Sequence, residues 1–337
     1  MGPRVVVLGG GAWGSALAIH LAARSHLRPK VTLYMRSAEQ AAACAAAREN
    51  ARYLPGIGLP PTLAITADLA AARDADLAIV AVPAAEVLPV AAMLRAAGAV
   101  APLALAAKGF VADASERGGY SLAQVALASN WPAPVGVISG PSFAVEVAQG
   151  LPTALVAGAA DRAWGRGLAA LIRGVAMRCY ESDDLVGIGV GGAVKNVLAI
   201  AAGTSDGLGF GDNARAALVT RGLAECGRLS GALGGRRETL MGLAGLGDLV
   251  LTCTGNLSRN RRVGLALARG EPLADILAGL GHVAEGVAAT RAVHALAGAH
   301  GVDMPISAAV HQVLYEGVPP RDAVRTLLAR EPGAEDS

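Results

Sequence analysis

Three glycines near the N-terminus constrain the fold of this chain more than any other feature. Gly9, Gly11 and Gly14 follow a short apolar run at residues 4–8 and precede a helix-like segment at 15–23. In a strand–turn–helix unit the first glycine makes the tight turn, the second lets the backbone approach a pyrophosphate, and the third allows close helix–strand packing. The spacing therefore predicts a dinucleotide-binding α/β fold at the start of the chain.

The first part of the chain alternates apolar strand candidates with Ala-rich helical segments. This alternation predicts a Rossmann-type, doubly wound parallel sheet over residues 1–182. A length of 337 residues also suggests two domains. The predicted strands are 4–8, 31–35, 62–66, 77–82, 102–106, 135–138, 153–157 and 175–180.

The second part, residues 183–337, contains no convincing strand pattern. We predict an all-helical substrate and catalytic domain there, joined to a dinucleotide-binding domain over 1–182, with a disordered tail at 331–337. The predicted helices are 186–203, 213–230, 236–244, 258–269, 272–279, 286–299, 305–316 and 320–330.

The composition argues against several classes of protein. A formal net charge of +2 gives no reason to expect a nucleic-acid partner or an anionic membrane. The longest uncharged run, 118–145, contains three prolines, so membrane insertion is not expected. The six histidines show no ligand spacing, so no metal is expected. The four cysteines lie far apart, which favours reduced thiols in a cytoplasmic protein.

Residues 203–207 match the GxSxG pattern of serine hydrolases. That pattern requires a strand before the serine and a helix after it. The preceding segment, 194–202, is predicted to be helical, and no histidine partner stands out. We therefore do not expect Ser205 to act as a nucleophile.

Lysine is rare in this chain. Only Lys30, Lys108 and Lys195 are lysines among 29 basic residues, and the last two lie in Gly- and Ala-rich surroundings. An ammonium can release a proton near neutral pH when its site tunes it, whereas a guanidinium cannot. Lys108 and Lys195 are therefore the first candidates for proton chemistry.

Polar residues concentrate in a region that is otherwise rich in Leu, Gly and Ala. Asp248 and Thr252 are spaced to share a helix face, and Ser258-Arg259-Asn260 offers either donors to a phosphate or a salt-bridged helix start. Cys253 lies beside them, and we expect it to react with alkylating reagents. A second anion or carbonyl site, or a simple capped helix, is predicted at residues 139–146.

The end of the second predicted strand bears on the choice of cofactor. NAD-binding domains place a carboxylate there for the ribose, but this chain has Met35-Arg36-Ser37. A cation suits a 2′-phosphate, so NADPH is the preferred cofactor and NADH remains usable, unless Arg36 is only a solvated surface charge.

Taken together, these motifs resemble the bacterial branch of the NAD(P)-dependent glycerol-3-phosphate dehydrogenases. The resemblance runs nearly end to end, with Gly189 and Ala51 as departures from residues that are common in the family. The matching segments are 10–18, 50–56, 108–109, 139–144, 195–200, 217–223, 242–249, 252–254, 258–260 and 283–286.

The resemblance implies reversible reduction of dihydroxyacetone phosphate to sn-glycerol 3-phosphate, which supplies glycerophospholipid synthesis. The resemblance makes Lys195 the proton donor and acceptor, Asp248 the residue that holds Lys195, and Lys108 a residue that polarises the substrate. The family resemblance also implies a homodimer. The remaining substrate-binding positions are Gly140, Ser142, Asn196, Thr252, Ser258, Arg259 and Asn260. The cofactor-binding positions are Gly9, Gly11, Ala12, Trp13, Gly14, Arg36, Lys108, Ala144, Arg259, Val283 and Glu285.

Two alternatives remain open from the sequence. One is a hydroxyacid dehydrogenase of the 6-phosphogluconate or 3-hydroxyisobutyrate type, which places Lys and Asn three or four residues apart, whereas Lys195 and Asn196 are adjacent. The other is a non-catalytic dinucleotide-binding sensor, which would keep the glycines but need neither lysine nor Arg259. Oxidation of NADPH with dihydroxyacetone phosphate separates all three.

Overall fold

The computed structural model describes residues 2–280 and 284–330. Two compact units are present. The first unit comprises Met1–Val111 and Ala123–Leu185, and the second comprises Ala112–Leu122 and Val186–Ser337. The predicted domain boundary at residue 182 remains a prediction. The predicted disordered tail and Val283 lie outside the described residues.

The strands and helices up to residue 182 follow the predicted alternation. They are β1 Arg4–Leu8, α1 Ala12–Arg24, β2 Lys30–Tyr34, α2 Ala38–Ala47, β3 Ala64–Thr66, β4 Leu77–Val80, α3 Val87–Ala96, β5 Leu103–Leu105, β6 Phe110–Ala112, β7 Tyr120–Leu122, α4 Ala123–Ala128, β8 Val135–Ser139, α5 Ala144–Gln149, β9 Thr153–Ala159, α6 Arg162–Ile172 and β10 Met177–Ser182. All eight predicted strands are observed, with bounds shifted by at most a few residues.

Eight strands form one sheet in the order β10-β9-β8-β5-β4-β1-β2-β3. β1 and β4 run parallel, and the order in which strands are added to the sheet reverses between them. Open α/β sheets bind ligands at such a switch point, at the carboxyl ends of the strands. Alternate residues of β1 enter two different cores: Val5 and Val7 pack with α1, and Val6 and Leu8 pack with α3. Helices therefore cover both faces, and the predicted doubly wound α/β fold is confirmed.

One pair of strands departs from the predicted parallel sheet. β9 runs antiparallel to β8, and Ile138 pairs with Ala157. The intervening helix α5 has only six residues. At 1.5 Å per residue such a helix is too short to carry the chain back along the sheet, so β9 starts at the end where β8 stops.

A two-stranded sheet of β6 and β7 was not predicted. Its strands have three residues each, too few for an alternating pattern to be recognised. Gly118 and Gly119, which precede β7, both adopt positive φ angles, at 90° and 73°.

After Ser182 the described residues contain helices and no strand, which confirms the predicted all-α second part. The helices are α7 Leu185–Gly207, α8 Gly211–Ala232, α9 Arg237–Leu240, α10 Asp248–Thr254, α11 Arg259–Ala268, α12 Leu273–Leu280, α13 Glu285–His300, α14 Pro305–Tyr315 and α15 Pro320–Leu328. A π-helical turn at Leu243–Gly247 separates α9 from α10, where a single helix over 236–244 was predicted.

Helix α7 forms the core of the second unit. It is long and apolar enough to cross a membrane, but 89% of its most apolar stretch is buried inside the protein, as in the core helix of a globular domain. Glycines allow other helices to approach its backbone. A Cβ atom at Gly264 of α11 would lie 2.0 Å from the carbonyl oxygen of Ile200, and one at Gly286 of α13 would lie 2.5 Å from that of Asn196. These contacts fix α11 and α13 against the segment of α7 that carries Lys195.

Candidate active site

The glycine loop lies between β1 and α1 in the first unit. Gly9 has a φ of 123°, and a Cβ there would lie 2.4 Å from the carbonyl oxygen of Ala81. A Cβ at Gly14 would lie 2.0 Å from the carbonyl oxygen of Gly9. At Gly11, by contrast, no described atom lies within 4 Å of the position that a Cβ would take. The loop is thus closed on the protein side and open at Gly11, which fits a dinucleotide pyrophosphate.

Asn50 holds this loop from 40 residues away in the sequence. Its Nδ2 donates to the carbonyl oxygen of Gly10 at 2.9 Å and to Oγ of Ser15 at 2.8 Å. Gln40 Nε2 donates to the same carbonyl at 3.4 Å. The sequence interpretation gave Asn50 no role. It had matched only as part of the segment 50–56, and spacing alone does not show which side chain reaches the loop.

The first turn of α1 carries Ala12 and Trp13, both predicted to contact the cofactor. The indole Nε1 of Trp13 is buried and has no hydrogen-bond partner among the described residues. Buried donors are usually paired, so a partner from outside the chain would satisfy this indole. This donor and the open face at Gly11 fit a bound dinucleotide.

Arg36 follows β2 at the carboxyl end of the sheet. Its side chain is 88% exposed, and Nη1 lies 3.8 Å from Oε2 of Glu86. The next residue, Ser37, begins α2 and accepts a hydrogen bond from the backbone N–H of Gln40. Arg36 is therefore a solvated cation with one weak carboxylate neighbour, in a position where a 2′-phosphate could displace that neighbour.

Lys108, Gly140 and Ser142 are brought together in the first unit. Lys108 Nζ donates to the carbonyl oxygen of Gly140 at 2.9 Å, and Ser142 Oγ donates to the same oxygen at 3.0 Å. Gly140 has a φ of 122°, a conformation that strains any residue with a Cβ. Ala144 begins the short helix α5 just beyond. Three of the predicted substrate positions thus form one cluster at the end of β8.

Lys195 and Asp248 form a buried ion pair in the second unit. Lys195 Nζ lies 2.6 Å from Oδ1 of Asp248, and the two side chains are 10% and 1% exposed. Thr252 Oγ1 accepts from Lys195 at 3.0 Å and donates to the backbone carbonyl of Asp248 at 2.6 Å. Asp248 is the first residue of α10, and Thr252 lies one turn later, as the spacing predicted. The ammonium is therefore held at one defined position.

Asn196, Asn260 and Gly286 connect three helices beside this pair. Asn260 Nδ2 donates to Oδ1 of Asn196 at 2.9 Å, and the backbone N–H of Gly286 donates to Oδ1 of Asn260 at 3.0 Å. Both asparagines are buried. The amide of Asn260 thus links α7, α11 and α13, a contact that its motif did not reveal.

Arg259 begins α11, and Ser258 is the residue that caps it. Ser258 Oγ accepts from the backbone N–H of Arg261 at 3.2 Å. Arg259 is exposed and donates no hydrogen bond within residues 2–280 and 284–330. Burial of part of its length lowers the pKa of the guanidinium, and the carboxylate of Glu285 at the start of α13 acts in the opposite direction. A guanidinium nevertheless stays charged at any physiological pH.

Cys253 does not match its expected reactivity. The side chain is fully buried, and burial raises the pKa of the thiol to about 12. A thiol that is both inaccessible and protonated does not react with alkylating reagents, so the expectation was wrong. Its sequence neighbours suggested an accessible thiol, but the side chain is enclosed within the second unit at its position on α10.

Two further sequence expectations can be compared with the described residues. Residues 203–207 lie in the last turns of α7, so the GxSxG pattern lacks the preceding strand that a hydrolase requires. Within the described ranges no group of three or more His, Cys, Asp or Glu side chains could hold a metal ion.

Each unit therefore carries a distinct chemistry. The first offers a glycine loop with an unpaired indole donor and the Lys108 ammonium. The second offers a buried ammonium–carboxylate pair and an exposed guanidinium at a helix N-terminus, an arrangement suited to proton transfer and anion binding.

Comparison with family models covers most of the chain. Residues 4–165 match the N-terminal model of NAD-dependent glycerol-3-phosphate dehydrogenase, and residues 184–325 match the C-terminal model. The two models together leave out only the termini and a short internal segment.

Individual proteins give the same result. The chain is 52% identical to a protein of Aromatoleum aromaticum named glycerol-3-phosphate dehydrogenase [NAD(P)+], over 98% of this chain and 100% of that protein. It is 50% identical to the protein of the same name from Nitrosomonas europaea, over 98% and 99%. The crystal structure of glycerol-3-phosphate dehydrogenase from Coxiella burnetii superimposes with a TM-score of 0.90 at 40% identity, over 98% of this chain and 99% of that one.

Proposed function

The chain belongs to the NAD-dependent glycerol-3-phosphate dehydrogenase family, and from this premise we propose how its own side chains carry out the reaction. The protein is an NAD(P)-dependent oxidoreductase that interconverts dihydroxyacetone phosphate and sn-glycerol 3-phosphate. Its relatives over nearly the whole length share this name, which favours this activity over a different hydroxyacid dehydrogenase or a non-catalytic sensor.

Lys195 is the acid–base group in this proposal. The observation that carries it is the buried contact of 2.6 Å between Lys195 Nζ and Asp248 Oδ1. During reduction a hydride adds to the carbonyl carbon, and negative charge develops on the carbonyl oxygen. An ammonium beside that oxygen stabilises the charge and transfers a proton to it, and in the reverse reaction the amine accepts the proton from the alcohol.

Asp248 and Thr252 position the ammonium. Asp248 provides the charge that keeps a buried cation favourable, and Thr252 fixes the direction of approach through its two hydrogen bonds. Asn196 lies next to Lys195 on α7 and is oriented by Asn260. We assign Asn196 to the substrate hydroxyl groups and Asn260 chiefly to the orientation of Asn196.

Arg259 and Ser258 are assigned to the substrate phosphate. Arg259 is an exposed residue at the N-terminus of a ten-residue helix, where the backbone N–H groups also favour an anion. A bidentate guanidinium contact is the strongest phosphate contact that a side chain offers. Lys108, Gly140 and Ser142, the polar cluster of the first unit, are assigned to substrate binding by family resemblance.

The nicotinamide cofactor supplies the hydride when it is bound. The open glycine loop, the unpaired Nε1 of Trp13 and the exposed Arg36 are the features that fit it. Arg36 favours NADPH because it can pair with the 2′-phosphate. NADH lacks only that one contact, so it stays usable as a weaker cofactor. Ala144, Glu285 and Val283 complete the proposed cofactor positions, the last by family resemblance alone.

A direct test is the oxidation of NADPH with dihydroxyacetone phosphate as the oxidant. We expect rapid oxidation of NADPH, and far slower reduction of NADP+ when 6-phosphogluconate or 3-hydroxyisobutyrate is the reductant. A protein that binds the nicotinamide cofactor but catalyses none of these reactions would instead be a sensor. A cytoplasmic location, a homodimeric state and a role in supplying glycerophospholipid synthesis are further parts of the proposal.

A further inference from the structure

Asp206 lies in the last turn of α7 and binds two arginines. Its Oδ2 accepts from Arg261 Nε at 3.0 Å and from Arg261 Nη2 at 2.6 Å. Its Oδ1 accepts from Arg215 Nη1 at 3.0 Å. The Asp206 side chain is 9% exposed, and that of Arg261 is 13% exposed. Neither the sequence motifs nor the proposed reaction uses this cluster.

Arg261 belongs to the first turn of α11, two residues after Arg259. Its Nη1 also donates to Oδ1 of Asn256 at 3.1 Å, in the loop that leads into the helix. Its backbone N–H donates to the Ser258 cap. Arg261 therefore ties the loop, the cap and the first turn to Asp206, and through Asp206 to α7.

The two helices are already held together independently of this ion pair. A Cβ at Gly203 would lie 2.0 Å from the carbonyl oxygen of Arg261, and the contact between Gly264 and Ile200 lies further along the helices. Backbone packing thus fixes the crossing of α7 and α11. Packing at Gly203 reaches the backbone of Arg261 within the first turn of α11. The loop at Asn256 and the Ser258 cap, which precede that turn, are held by the polar contacts of Arg261.

We propose that Asp206 is a positioning residue that orients the first turn of α11, so that Arg259 meets the substrate phosphate. The inference rests on the phosphate-binding role assigned to Arg259 above. Two donors of the Arg261 guanidinium bind the same carboxylate oxygen, and this constrains direction as well as distance, which a single contact does not. Asp206 also supplies the opposite charge for Arg261, whose side chain is only 13% exposed.

The test compares Asp206→Asn with Asp212→Asn. Asp212 also forms an ion pair with Arg215, but its side chain is 88% exposed, so it is a matched control for loss of a carboxylate near the same arginine. The measurements are kcat and KM for dihydroxyacetone phosphate, for phosphate-free dihydroxyacetone and for NADPH, together with Tm.

For Asp206→Asn we expect KM for dihydroxyacetone phosphate to rise roughly tenfold to a hundredfold, since small misplacements of a binding group have effects of this size. The specificity constant for dihydroxyacetone should stay near that of wild type. Asp212→Asn should match wild type throughout. The proposal would be overturned if Asp206→Asn lost kcat/KM equally for both ketones, or if its KM for dihydroxyacetone phosphate did not change.

Arg261→Lys decides the question if Asp206→Asn does not fold. A lysine keeps the charge but lacks the planar pair of donors that Arg261 places on Asp206 Oδ2, so it should give the same selective rise in KM for dihydroxyacetone phosphate. A wild-type KM in this variant would overturn the inference. If wild type itself does not prefer the phosphorylated ketone, the assignment of Arg259 fails; if wild type shows that preference and the variants keep it, only the role of Asp206 fails.

Discussion

Lys195 Nζ and Asp248 Oδ1 lie 2.6 Å apart, and both side chains are buried in the second unit. Burial of either charge alone would be strongly unfavourable, so each depends on the other. The pair connects α7 with α10 and holds an ammonium where a substrate carbonyl could be protonated. The account of the reaction depends on this contact.

Removal of the Asp248 charge should affect stability and turnover together. Asp248→Asn leaves a buried ammonium without its counter-ion, and we expect the free energy of unfolding to fall by about 3–5 kcal/mol and kcat to fall with it. Thr252→Val, which removes only hydrogen bonds, should cost about 1 kcal/mol. Urea unfolding and steady-state kinetics of both variants test this. Equal stability of wild type and Asp248→Asn would show that the pair contributes nothing net.

Arg259 should discriminate between phosphorylated and unphosphorylated ketones. Arg259→Ala should weaken dihydroxyacetone phosphate by roughly tenfold to a hundredfold in kcat/KM, as a lost charge-assisted contact of about 1.5–3 kcal/mol implies. Dihydroxyacetone should be affected little. Arg259→Lys should also be poor, because a point charge does not replace a bidentate contact. If both ketones lose equally, Arg259 is structural.

The exposed Arg36 should determine the preference for NADPH. One charge-assisted contact of about 1.5–3 kcal/mol predicts that kcat/KM for NADPH exceeds that for NADH by roughly tenfold to a hundredfold, at ~1.4 kcal/mol per decade. The ratio should shrink at high salt because the site is solvated. Arg36→Asp should reverse the preference. Glu86→Gln should raise it slightly, since Glu86 competes for the guanidinium from 3.8 Å. An unchanged ratio in Arg36→Asp would place the determinant elsewhere.

His20 should make folding sensitive to mild acid. Burial lowers the pKa of its imidazole from 6.5, opposed by a hydrogen bond to the carbonyl of Ile172 and reinforced by Arg24 and His26. As the pH falls below the unfolded value, the unfolded chain binds a proton that the folded chain does not, so stability is lost, at up to ~1.4 kcal/mol per pH unit. His20→Gln should lose less stability between about pH 7.5 and about pH 5.5. Parallel Tm profiles for the two proteins would contradict this.

The fold was predictable where hydrophobic pattern and turn residues agree. Buried parallel strands such as β1 and β4 are continuous apolar runs, and the glycines of the loop mark the following turn. The antiparallel β9 was missed because strand direction depends on the length of α5 rather than on the pattern of β9. The sheet of β6 and β7 was missed because its strands are too short to show a period.

The candidate site was predictable only in part, for a similar reason. Scarcity of lysine singled out Lys108 and Lys195, and helical spacing paired Asp248 with Thr252. Contacts between residues far apart in the sequence were not visible. Asn50 reaches the glycine loop from 40 residues away, and Asp206 lies 55 residues from Arg261. Cys253 shows the opposite error: proximity in sequence to Thr252 suggested exposure, and helix geometry buries it.

Replacement of Lys195 by methionine tests the central claim most directly. Met has a similar length and no proton to transfer, so Lys195→Met should bind NADPH as wild type does, while kcat with dihydroxyacetone phosphate falls by roughly 10²–10⁴. Lys30→Met, at an exposed lysine of the first unit, is the control and should keep full activity. A folded Lys195→Met protein whose kcat stays within about threefold of wild type would contradict the account.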